Sequence, residues 1–176
     1  SYSQNIKKES MRSTRDSLLS YLSSGYSASG TTDFGRYVYF SASDISPIVR
    51  HIITAVNNDI FVLVTSDEGL IQMAVSAPAG ISEGDSVKDP SLYTLKSTDD
   101  YNGFTDLDGF LPSKMLVYGG RVKDQSGATA GIVLVCSATS STPGIVGNTV
   151  KTTVIAILWV TAAALITVFF VTDRIV

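Results

Sequence analysis

Six apolar residues, Ile45, Ile48, Val49, Ile52, Ile53 and Val56, recur at intervals of three and four, which places them along one face of an α-helix. Ser46 stands as its N-cap, Pro47 at the first helical position and Asn57-Asn58 at the stop. Directly afterwards, IFVLVTS (60–66) and LIQMAVS (70–76) flank the turn sequence Asp67-Glu68-Gly69, and their β-branched content predicts a β-hairpin. A second pair, MLVYGGRVKD (115–124) and IVLVCSA (132–138), encloses the loop QSGATAG and reads the same way. Isolated hairpins are marginal in water, so the four strands are expected to share one sheet.

Residues 1–24 lack Gly and Pro, and Met11, Leu18 and Leu22 form a narrow apolar stripe at helical spacing. A stripe this thin suits a mostly polar helix that pairs with a copy of itself or stands solvated. Ser23 to Asp33 is rich in Ser, Gly and Thr and reads as a loop. Between the hairpins, Ala77 to Lys114 has no sustained period and contains Pro78, Pro90 and Pro112. Plain loop of that length is unusual inside a domain, so short helices and a ligand-facing surface are expected there. Acidic residues Glu83, Asp85, Asp89, Asp99, Asp100, Asp106 and Asp108 outweigh Lys88, Lys96 and Lys114, with aromatics interleaved.

From Thr152 to Val171 the chain has no charged residue, and about 1.5 Å of rise per residue makes this roughly 30 Å of helix, the thickness of a bilayer core. Its polar residues are threonines, whose hydroxyls can bond back to their own helix. A transmembrane helix over 150–171 is therefore expected, with 172–176 as the start of a cytoplasmic linker. Lys151 on one flank and Asp173-Arg174 on the other leave the positive-inside count nearly balanced. The chain opens at Ser1 without a basic-then-apolar leader, and both ends read as cuts in a longer protein.

The net charge of −3 lacks the excess of Lys and Arg that counterion-release binding needs, so no nucleic acid is expected as partner. A single cysteine, Cys136, excludes an internal disulfide and a multi-cysteine zinc site, and reads as a buried small hydrophobe. Gly80-Ile81-Ser82-Glu83-Gly84 matches a hydrolase G-x-S-x-G elbow. However, Pro78 and Pro90 break the strand-turn-helix context, and the one histidine, His51, lies upstream rather than downstream. Asp99, Asp100, Asn102, Asp106 and Asp108 offer oxygen ligands but miss the EF-hand spacing, so neither metal nor cofactor is expected and a solvated acidic loop is the plainer reading. Tyr93, Tyr101, Phe104, Phe110 and Tyr118 are candidate walls of a small-molecule pocket, with Arg121 as a planar fork for a ligand carboxylate or phosphate.

The order of these elements resembles the extracytoplasmic PAS-like, or single-Cache, sensor domain of bacterial membrane sensor histidine kinases. Asp67-Glu68-Gly69 is placed like that family's D-x-G turn. Lys123-Asp124-Gln125-Ser126-Gly127 with Gly131 is placed like its D-x-x-G-x-x-x-G hairpin, and Thr172 to Val176 is similar to the start of a HAMP linker. The resemblance implies an α+β fold, an antiparallel sheet flanked by N-terminal helices and followed by one transmembrane helix. It divides the chain into a juxtamembrane helix (1–26), a PAS-like domain (34–142), the membrane helix (150–171) and the linker (172–176). It also implies a first membrane helix upstream, a homodimer, and a cytoplasmic kinase that addresses a response regulator.

The expected function is then sensing of an unidentified small molecule by residues 1–149 outside the cell membrane, with no catalysis by this segment itself. The alternative is a surface structural or adhesive domain on a C-terminal anchor. The absence of an L-P-x-T-G box before the apolar run weakens a sortase version of that alternative.

Overall fold

A computed structural model describes residues 2–56, 59–89 and 91–137. Eight elements follow in order: α1 (Tyr2–Ser29), α2 (Phe34–Val56), β1 (Ile60–Ser66), β2 (Ile71–Val75), α3 (Ser91–Leu95), β3 (Tyr101–Thr105), β4 (Met115–Lys123) and β5 (Thr129–Ser137). The five strands form one antiparallel sheet in the order β2-β1-β5-β4-β3. Both expected hairpin regions thus lie in one sheet, and the α+β class holds. No helix among the described residues is long and apolar enough to cross a membrane. The expected membrane helix 150–171 and linker 172–176 lie outside the described residues.

Strand alternation sorts the core into two layers. Ile60, Val62, Val64, Val133, Val135, Tyr118 and Val122 face α1 and α2. Phe61, Leu63, Leu134, Cys136, Val117 and Met115 face the opposite way, under α3 and the 77–114 segment. The central strands β1 and β5 are apolar on both faces, as a sheet covered on both sides requires.

Helix α1 continues to Ser29, through much of the Ser23 to Asp33 stretch expected to be a loop, and three further elements differ from the sequence expectation. The stripe of Met11, Leu18 and Leu22 is fully buried against this chain's own sheet, so the surface expected to meet a second copy is spent internally. Helix α2 begins at Phe34 rather than near Ser46, because Phe34, Tyr37 and Val38 extend the buried face upstream and Asp33 supplies the cap, its Oδ1 accepting from Arg36 N at 3.0 Å. Pro47 consequently sits inside the helix, where packing outweighs its missing donor. The third is β3, which lies within the stretch expected to hold only loops and short helices.

The α2 boundary gives a first prediction. Asp33→Ala should cost about 1 kcal/mol in urea unfolding by loss of the cap, whereas Ser46→Ala should be near neutral. Equal losses would restore the later start.

The early turns of α1 and the end of β5 share one end of the sheet. Ile60 pairs with Ser137, the last residue of β5, and Lys7 Nζ on the first turns of α1 lies 3.9 Å from Asp59 Oδ2, one residue before β1. The β1–β2 turn lies at the other end, roughly 20 Å away along seven residues of strand.

Candidate functional site

At the β1–β2 turn, Ser66 Oγ accepts from Glu68 N (3.2 Å) and Leu70 N (3.1 Å), and Gly69 adopts φ +90°. The turn therefore holds Asp67 and Glu68 at a fixed corner. The chain then returns along the start of β2: Gly84 N donates to Ile71 O (2.9 Å), Ile71 N to Asp85 O (2.8 Å) and Val87 N to Gly69 O (2.9 Å). This return covers part of an exposed sheet edge and brings Val87, Lys88 and Asp89 beside the turn. Helix α3 follows at once, anchored by Leu92 and Leu95, which are buried in the layer with Phe61 and Leu63.

Together these pieces enclose a cavity of about 460 Å³ lined by Asp67, Glu68, Val87, Lys88, Asp89, Leu92 and Lys96. Its size falls within the range of small-molecule sites, and Val87 and Leu92 are its apolar contacts. Three acidic and two basic residues share the lining, so both signs of charge border the cavity. Asp89 is itself 8% exposed.

Behind Lys96 lies a second charged cluster. The Lys96 carbonyl accepts from Thr129 Oγ1 (3.1 Å) and Arg121 Nη1 (3.4 Å). Asp99 Oδ1 takes Arg121 Nε at 2.7 Å and Lys123 Nζ at 2.8 Å. The Lys123 contact, then the Arg121 contact, hold the Asp99 carboxyl below the ordinary carboxylate value of 3.8. Asp124 is lowered too, first by Ser126 Oγ and then by backbone donors of the hairpin turn.

A carboxylate with a depressed folded-state pKa stabilises the fold above its unfolded value, and that contribution disappears as pH falls through the folded value. Stability should accordingly fall on acidification from about pH 4 downward, and Asp99→Asn should fall less steeply in urea midpoints measured from about pH 5 to pH 3. A slope identical to that of the wild type would contradict this.

The six candidate pocket residues divide between the two faces. Tyr93 lies on α3. Tyr101 and Phe110 are half-buried against the α3-side layer, and Arg121 points to that side, where Asp99 and the Lys96 carbonyl already engage its guanidinium. Tyr118 is buried on the α1 side, and Phe104, on β3, is 54% exposed. The cavity walls Asp67, Glu68, Lys88, Asp89 and Lys96 were absent from that set. Their signal was the D-x-G turn together with the acidic segment, two features joined only by the fold.

The other chemical readings find these surroundings. His51 is exposed on α2, while Ser82 N donates to Asp85 Oδ2 at 2.7 Å in a turn that runs beside β2, with the next helix beginning only at Ser91. In the acidic loop, Asp99 is paired as described and Asp100 contacts Arg15 and Arg12. Among the described residues no group of three or more metal-ligating side chains is gathered. Burial raises the pKa of the Cys136 thiol, which favours its protonated, unreactive form.

No family model matches the chain, and no curated protein does. Among solved structures, the chain is similar to the ligand-binding domain of the Campylobacter jejuni chemoreceptor Tlp3. The complex with 4-methylisoleucine gives 15% identity and a TM-score of 0.49 over 76% of this chain and 56% of that one. The complex with L-valine gives 16% and 0.45 over 76% and 57%. The sensor domain of the V. cholerae histidine kinase DctB gives 14% and 0.42 over 80% of this chain and 58% of that one. The chain thus spans less than two thirds of the length of these structures.

Proposed function

We propose that residues 1–149 form an extracytoplasmic ligand-sensing domain that binds a small charged or zwitterionic molecule in the α3 cavity. In this reading the domain passes a conformational change through a transmembrane helix at 150–171 to a cytoplasmic histidine kinase and its response regulator. The observation that carries the proposal is the cavity of about 460 Å³, built from the β1–β2 turn, the 84–89 return and α3, with both signs of charge in its lining. Its position adds support. The cavity lies at one end of the sheet and the start of α1 and the end of β5 at the other, so a change at the turn has the length of α1 and β5 along which to travel. Of the sequence candidates, Tyr93, Tyr101, Phe110 and Arg121 are proposed to flank the site, with Phe104 and Tyr118 serving the other face.

The compact unit Ser1–Ser140 is the piece to test. A thermal-shift panel of amino acids, dicarboxylates, amines and divalent ions should contain at least one compound that raises Tm by several degrees. At a hundredfold excess over Kd, binding adds about 2.7 kcal/mol. Lys96→Met should abolish the shift without lowering the Tm of the free protein by more than a few degrees. A flat response across the panel favours the anchored structural domain instead.

A further inference from the structure

On strand β4, two consecutive glycines thin the sheet where α1 and α3 approach it from opposite faces. A Cβ on Gly119 would lie 2.9 Å from Leu95 of α3, and one on Gly120 would lie 2.4 Å from Leu19 of α1 and 3.4 Å from Arg15 Cδ. The two residues leading into β3 straddle the same place. Asp99 turns to the α3 side, where it holds Arg121 and Lys123, and Asp100 turns to the α1 side, where its Oδ1 contacts Arg15 Nη1 and its Oδ2 lies 3.9 Å from Arg12 Nη2.

We infer that Arg15 is the positioning residue through which α1 follows the state of the α3 cavity, and that the Asp99-Asp100 pair is its link. The inference rests on the sensing reading for its purpose, though the coupling itself needs no ligand. Lys96 begins the chain of contacts: it lines the cavity while Thr129 and Arg121 grip its carbonyl. Three residues later Asp99 is fixed to Arg121 again, so α3, Lys96 and Asp99 move as one piece. Asp100 is bonded directly to that piece and cannot stay behind.

On the far side, Arg15 is 3% exposed. Its Nε and Nη2 donate to Asp16 Oδ1 at 2.9 and 2.7 Å, and its Nη1 donates to the Gly119 carbonyl at 3.3 Å as well as to Asp100. A guanidinium does not shed its charge, and a buried one that loses a carboxylate is heavily penalised, so α1 shifts with Asp100 sooner than release it. Arg12 and Asp100 are about half exposed, so their longer contact contributes little. Because α1 is a continuous helix of 28 residues, displacement at Arg15 is carried to the turns near Lys7.

Native-state hydrogen exchange on the full chain tests this without any ligand. Leu92→Ala, which loosens α3 from the cavity side, should speed exchange of α1 amides from Arg12 to Leu19 by about fivefold or more relative to amides of β1 and β5, the lower range of measured site-to-site coupling. Asp100→Ala should remove that relative response and leave the one at α3 intact. Asp100→Glu, which keeps the carboxylate, should retain it. Thr129→Val, which leaves the Lys96 carbonyl held by Arg121 alone, should act in the same direction as Leu92→Ala and serves if that variant fails to fold.

The inference is overturned if α1 amides follow β1 and β5 in both loosened variants, or if their response survives Asp100→Ala. A compound that binds the cavity while α1 stays silent to both loosening variants counts against this coupling alone. A flat compound panel with the exchange response present counts against sensing alone.

Discussion

Replacing Gly69 by alanine should remove about 2–5 kcal/mol of stability and disturb the cavity at the same time. Two costs combine. At φ +90° an L side chain is strained by about 1–2 kcal/mol, and the new Cβ would lie 2.3 Å from the Val87 carbonyl oxygen. That oxygen belongs to backbone whose own N–H donates to Gly69 O, so it cannot retreat without opening the return that carries Lys88 and Asp89 to the site. Overpacking of this kind adds about 1–3 kcal/mol. Gly30 separates the two costs, since it also has positive φ, +68°, but nothing within 4 Å of a built Cβ. Gly30→Ala should therefore lose only about 1 kcal/mol in urea unfolding. Equal losses for the two variants would mean that the 84–87 return is not held against the turn.

The second large effect concerns α1. Leu18→Ala should destabilise the unit Ser1–Ser140 by about 2–5 kcal/mol, because Leu18 is fully buried in the layer between α1, α2 and the sheet. The loss should not vary with protein concentration. If the stripe were instead a seam between two copies, the urea midpoint would rise with concentration and the mutation would flatten that rise. Ile6, 54% exposed on the same helix, provides the control, and Ile6→Ala should stay within about 0.5 kcal/mol.

The elements that were legible in the sequence are those whose signal is local. β1, β2, β4 and β5 combine β-branched runs with turn residues at Asp67-Glu68-Gly69 and at Asp124 to Gly127, and both signals come from neighbours in the chain. The start of α2 was misplaced because Ser46-Pro47 imitates a helix start. The competing evidence, Phe34, Tyr37 and Val38, gains meaning only when Tyr26 and the sheet are there to bury them, as the edge-on Tyr26–Phe34 contact at 5.3 Å shows. Strand β3, with Asn102 and Gly103 at its centre, has weak strand propensity and exists because β4 offers it an edge.

The candidate site follows the same logic. Its D-x-G turn and its acidic segment were each visible, but that Asp67 and Lys96 share one cavity is a property of the 84–87 return. The division of Tyr101 from Tyr118 between two faces likewise follows from strand register, which the aromatic count alone does not contain.

The central claim is that a small molecule is held between the β1–β2 turn and α3. Amide chemical shifts of the isotope-labelled Ser1–Ser140 unit, titrated with whichever panel compound gives the largest thermal shift, test it most directly. The account predicts saturable changes largest at Asp67, Glu68, Val87 to Asp89 and Leu92 to Lys96, with smaller changes reaching α1 near Arg15. Saturable changes centred on the α2 face, around Tyr39, Phe40 and Arg50, with the turn and α3 unmoved would contradict it.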